Sequence, residues 1–173
     1  SFERALALAP EFAEAHCNLG IIALDEMDSG RAKECLHRAL ALDPQLTAAH
    51  CNLGIMALDE MDFERAIECL KHALALDPEL TQAYCNLGLA LYNAGRIAES
   101  ERVIAEALER NPGNALARLY SSFSLLARGE WRSGWERFEA RLEGDHPTVR
   151  FIYPRWNGEP VTGKRVLVCG EQG

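Results

Sequence analysis

Pro10, Pro44, Pro78 and Pro112 stand 34 residues apart. Gly20, Gly54 and Gly88 keep the same interval, and so do Asn18, Asn52 and Asn86. Residues 13–46 match residues 47–80 at 25 of 34 positions. A chain written in one short unit cannot bury each unit's apolar side separately. The units must stack, each covering the next.

Every unit reads as two helices. Ala15, Leu19, Ile22 and Ala23 recur at helical spacing, which predicts a first helix from Ala13 to about Asp25. Asp28 is placed to cap a second helix, because its carboxylate can accept a free backbone N–H of the first turn. Ala32, Leu36, Ala39 and Leu40 share one face of that second helix, from about Ser29 to Leu42. Pro44 closes the unit, since proline disfavours helix in the residue before it. A fourth unit is present in degraded form. Residues 115–127 keep the apolar pattern, Ser122 replaces the repeated glycine, and Trp131, Trp135, Phe138 and Leu142 form one aromatic helix face. Such a stripe is expected to be core against the third unit.

The charge is uneven. Residues 1–112 hold 9 Lys+Arg and 19 Asp+Glu, a balance of −10, whereas residues 113–173 hold 9 and 7, a balance of +2. The chain total of −8 argues against nucleic acid as a partner. No apolar run approaches the ~18 residues of a membrane span, and no leader pattern is visible. A start at Ser1 and a stop at Gly173 directly after an apolar run read as a segment of a longer chain.

The pattern W-x2-L-G-x2-Y, then A-x3-F, then A, then P, falls on His16, Leu19, Gly20, Ala23, Ala32, Leu36, Ala39 and Pro44. It returns on His50, Leu53, Gly54, Ala57, Ala66, Leu70, Ala73 and Pro78, and on Tyr84, Leu87, Gly88, Leu91, Ser100, Ile104, Ala107 and Pro112. The chain thus resembles the tetratricopeptide repeat family over residues 1–112. The resemblance implies an all-α, right-handed solenoid of helix–turn–helix units. The expected organisation is a remnant unit at 1–12, units at 13–46, 47–80 and 81–114, and a degenerate terminal unit at 115–143. A linker at 144–160 and a first β-strand of a truncated α/β domain at 161–173 follow.

The last part rests on a second resemblance. Gly134-Trp135-Glu136-Arg137-Phe138-Glu139-Ala140-Arg141, Pro154-Arg155-Trp156-Asn157-Gly158, Gly163-Lys164-Arg165-Val166-Leu167-Val168 and Gly170-Glu171-Gln172-Gly173 look like a known junction. It is the junction of bacterial tetratricopeptide-repeat proteins with a C-terminal domain of the heptosyltransferase or O-linked N-acetylglucosamine transferase type. The resemblance implies a parent protein related to nucleotide-sugar-dependent transferases. No catalytic site and no cofactor fall within this chain; a nucleotide sugar would belong to the domain beyond Gly173.

In the tetratricopeptide family the first helices line a concave face that takes extended peptides or partner helices. The matching positions hold Cys17, Asn18, Ile21, Leu24 and Asp25 in the first unit, and Cys51, Asn52, Ile55, Leu58 and Asp59 in the second. In the third they hold Cys85, Asn86, Leu89, Tyr92 and Asn93. An Asn amide offers a donor and an acceptor, so Asn18, Asn52 and Asn86 suit a peptide backbone whatever its side chains. Their bland role is to bond the neighbouring unit. Ile21, Ile55 and Leu89, with Tyr92, would form an apolar floor, and Asp25 and Asp59 an acidic edge. The six cysteines read as reduced, small apolar side chains, since equivalent residues of stacked helices lie roughly 10 Å apart. That fits a cytoplasmic protein. His16-Cys17 and His50-Cys51 are sequence neighbours that do not share a helix face, so no zinc set is expected. Asp25-Glu26-Met27-Asp28 and its copy at 59–62 lack the alternation of a calcium loop and read as helix end plus cap.

The expected function is a protein-interaction scaffold that binds an extended peptide or partner in its groove, presenting an acceptor to a glycosyltransferase. The alternative is a structural solenoid that forms homo-oligomers or docks on its own C-terminal domain.

Overall fold

A computed structural model describes residues 11–142, and they form eight α-helices and a closing 3-10 turn. The helices are α1 (Ala13–Asp25), α2 (Ser29–Leu42), α3 (Thr47–Asp59), α4 (Phe63–Leu76), α5 (Thr81–Asn93), α6 (Ile97–Arg110), α7 (Ala115–Ala127) and α8 (Trp131–Phe138). The 3-10 turn spans Glu139–Leu142. Among the described residues there is no strand. The expected linker at 144–160 and strand at 161–173 lie outside the described residues, as does the remnant unit save for Glu11 and Phe12.

The helix pairs form as the repeat demands. Asp28 Oδ1 accepts the Arg31 N–H at 3.0 Å, and Asp62 Oδ1 accepts the Arg65 N–H at 3.2 Å. These are the expected caps, each serving an otherwise unsatisfied first-turn donor. The third unit has Arg96 here, which cannot accept; it forks onto Glu99 instead, with both N–O distances 2.7 Å. The ends of the second helices also repeat. Asp43 and Asp77 leave the helix in extended conformation before proline, and each carboxylate accepts the N–H two residues on.

The turn between paired helices is the same four times. In the first unit the Asp28 N–H reaches back to the Ala23 carbonyl at 2.8 Å, and the Met27 N–H to Leu24 at 3.0 Å. This double closure places one residue in the left-handed region. Gly95 and Gly129 fill that place with φ 76° and 77°, but Met27 and Met61 fill it with φ 61° and 58°. For an L residue with a side chain this conformation costs about 1–2 kcal/mol.

Paired helices are held unusually close by the repeated glycine. A Cβ on Gly20 would stand 2.9 Å from Leu36 Cγ, and one on Gly54 only 2.6 Å from Leu70 Cγ. Gly88 meets Ile104 in the same way. Leu36, Leu70 and Ile104 are buried in consequence. The fourth unit inverts the arrangement. Ser122 occupies the glycine's place, with its hydroxyl donating to the Leu119 carbonyl. The glycine now lies on the second helix, where a Cβ on Gly134 would stand 2.6 Å from Leu126 Cδ2.

That inversion overturns the expected role of the aromatic stripe. Helix α8 turns Gly134, not its tryptophans, to α7. Trp131 and Trp135 remain 62% and 54% exposed. Phe138 of the stripe reaches inward, its ring 6.3 Å from Phe123.

The cores cross unit boundaries. Leu36 and Ala39 of the first unit pack with Ala49, Leu53 and Met56 of the second. Leu70 and Ala73 pack with Ala83, Leu87 and Leu91 of the third. Ile104 and Ala107 share a cluster with Ala117 of the fourth. No unit therefore completes its core alone.

Two substitutions test this reading by opposite signs. Gly54→Ala should gain ~1 kcal/mol of helix propensity but lose about 3 kcal/mol to overpacking against Leu70, a net loss visible in chemical denaturation. Met61→Gly should relieve the left-handed turn and, after the entropy cost of glycine, raise stability by about 0.5–1 kcal/mol.

Candidate functional site: the face of the first helices

Successive first helices come close backbone to backbone: α1 meets α3, α3 meets α5 and α5 meets α7, whereas successive second helices stand farther apart and meet through side chains such as Arg65 and His37, 3.3 Å apart. The stack therefore bends with its first helices on the inner side. The sequence-derived groove residues all sit on these helices.

Asn18, Asn52 and Asn86 are half-buried along this side. Asn52 Nδ2 donates to the Ala48 carbonyl of its own helix at 2.8 Å. Neither Asn18 nor Asn86 makes a side-chain hydrogen bond among the described residues. Among the described residues none of the three amides bonds a neighbouring unit. Ile21 and Ile55 are half-buried, packed at the edge of the cores beneath them, and Leu89 is half-buried as well. Asp25 and Asp59 are exposed at the helix ends. Tyr92 lies against Phe123, ring centroids 5.7 Å apart.

The described cysteines are free, as expected, but three of them leave the groove positions. Cys17, Cys51 and Cys85 are buried at 3%, 6% and 0% exposure, so they belong to the core and not to a groove surface. Helix rotation explains it: each precedes its Asn by one residue and turns away between neighbouring helices. The Cys85 thiol donates at 3.5 Å to Oδ1 of Asn114, the residue that caps α7. Burial pushes this thiol up to about 11, and it raises Cys17 and Cys51 as well, with Glu14 adding to the effect at Cys17. Such thiols stay protonated at neutral pH and make poor nucleophiles or metal ligands. Among the described residues no cysteine is bridged, and no three His, Cys, Asp or Glu side chains gather where they could hold a metal ion. His72 stacks on His50 with centroids 4.1 Å apart.

Two residues of this face escaped the sequence reading. Tyr120 and Phe123 continue the Asn and Ile/Leu rows one period further, and together with Tyr92 and Phe138 they close the downstream end with rings 5.7–6.3 Å apart. Carrying the 34-residue count past Pro112 would have found both. Their change of type hid them.

Comparison with known proteins agrees with this architecture. Residues 13–46 and 81–114 match the family described as Tetratricopeptide repeat, and residues 62–95 match that described as TPR repeat. Protein FlbA of Caulobacter vibrioides is 34% identical over 86 residues, 44% of this chain. The chain spans only 14% of FlbA. Among solved structures, MamA superposes with a TM-score of 0.70 at 23% identity, over 82% of this chain and 83% of MamA. Pseudomonas aeruginosa pilF superposes with a TM-score of 0.73 at 24% identity, over 83% of this chain and 65% of that one. At these identities the likeness is one of fold. Among the described residues no helix is long and apolar enough to cross a membrane.

The thiol shift carries a pH signature. A group whose folded value exceeds its unfolded one stabilises the fold below the unfolded value and loses that contribution as pH rises through the folded one. For Cys85 that window runs from 9.0 to about 11. Urea midpoints should therefore fall across this range, and less steeply in Cys85→Ala. The matched motifs and the shared helical architecture together establish that this chain carries tetratricopeptide repeats.

Proposed function

We propose that the chain is a scaffold for protein–protein contact, taking an extended peptide segment along its first helices. The row of half-buried amides carries this reading. Among the described residues Asn18 and Asn86 make no side-chain hydrogen bond, and Asn52 keeps its oxygen and one N–H after bonding Ala48. Packed helices lie about 8–10 Å apart, and an extended chain advances ~3.3 Å per residue. Successive amides would then meet every third residue of the peptide, so a segment of about ten residues spans three units. Ile21, Ile55 and Leu89 would receive apolar side chains, and Asp25 and Asp59 favour a basic residue at the edge.

A finer reading makes this scaffold the acceptor-presenting module of a glycosyltransferase. Its support is the sequence resemblance of residues 134–173; the matched repeats and folds do not bear on it. A cytoplasmic setting belongs to the same proposal, because protonated core thiols suit a reducing compartment.

The test is direct. Peptides of about ten residues selected for binding to the chain should lose at least tenfold in affinity to the triple variant Asn18→Ala, Asn52→Ala, Asn86→Ala. Its melting curve should match that of the parent. Unchanged affinity would remove the amide row from the mechanism.

A further inference from the structure

The three junctions between units are internal controls for one another. Leu53 and Met56 fill the first junction and Leu87 fills the second, all of them buried. One period further the same places hold Ser121 and Ser124. The result is a cleft of about 390 Å³ between α6, α7 and α8. Ile104, Leu108 and Leu125 line it, together with Glu101, Glu109, Arg128 and Arg137. Arg128 pairs with Glu101 and Glu130. Arg137 donates to the neutral Ser121 hydroxyl at 3.0 Å, with no acidic partner among the described residues. What the cleft lacks, relative to the other junctions, is aliphatic volume of the size of a leucine or methionine.

The same chain displays such a side chain on an acidic mount. Met27 and Met61 project from their turns at 89% and 76% exposure. Each is held at positive φ, where the later units use Gly95 and Gly129. Each lies within Asp-Glu-Met-Asp, three carboxylates in four residues.

We propose that the cleft between the third and fourth units receives the Asp-Glu-Met-Asp turn of a second copy of this chain. The methionine fills the space that Met56 fills in the first junction, and the flanking carboxylates face Arg137. Donor and acceptor are different surfaces, so the contact is head-to-tail and can propagate. The cleft contains none of Asn18, Asn52 or Asn86, so this contact stands or falls separately from the peptide groove.

Sedimentation velocity on the chain of residues 1–173 over a range of concentrations tests it. Wild-type chain should grow with concentration and dissociate in high salt, as a charge-steered contact must. Ser121→Leu with Ser124→Ala restores the second junction's residues; it should close the cleft, fold at least as stably, and weaken association at least tenfold. Met27→Gly with Met61→Gly removes the knob but keeps a residue this turn already uses twice. It should weaken association equally and keeps the test decisive if the filled variant does not fold. A wild-type chain that stays monomeric at every concentration overturns the proposal, as does association that both variants leave intact.

Discussion

The close approach of glycine to leucine or isoleucine inside each helix pair governs the rest of this structure. Gly20 on Leu36, Gly54 on Leu70 and Gly88 on Ile104 let two helix backbones come within a distance that no Cβ would permit. That intimacy fixes where each helix face points. It buries the branched side chain, sets the turn that Met27, Met61 and Gly95 close, and leaves the opposite flank of each pair to cover the next unit. The fourth unit keeps the distance by moving the small residue to the other helix, from position 122 to Gly134. The exchange preserves packing but rotates the aromatic face of α8 outward. The terminal unit thus differs from the others in surface rather than in architecture.

Much of this was legible in the residues. Helix ends at Asp25, Ser29 and Leu42 follow from a cap, a turn and a proline, all short-range signals that repeat. Periodicity supplied the pairing, because identical units have few ways to cover one another. The terminal unit was read less well. A stripe at i, i+4 and i+7 defines a face but not its direction, and the direction of α8 depends on Gly134, a small residue that carries no hydrophobic signal. The left-handed methionines were equally silent. Their conformation is imposed by two backbone hydrogen bonds, and a glycine in the same turn one unit later was the only clue.

The candidate groove was legible in part. The amide row sits on the side of the first helices, as expected. The adjacent cysteines do not, because one residue is 100° of helix rotation and carries a side chain from an exposed face into a junction. Tyr120 and Phe123 were missed for the reverse reason: their positions were predictable and their chemistry was not. A repeat reveals equivalent places. It does not reveal when a place has been given a different task.

The wider spacing of successive second helices among the described residues gives the stack two unlike edges. Its inner edge is joined by packed side chains, which hardly compress. Its outer edge is joined by ion pairs such as Lys33–Glu60 and Glu64–Arg96, 3.2 and 3.5 Å long and partly exposed to solvent. Such pairs contribute little to stability, and salt screens them. Added salt therefore weakens the ion pairs of the outer edge first and leaves the shared apolar cores in place.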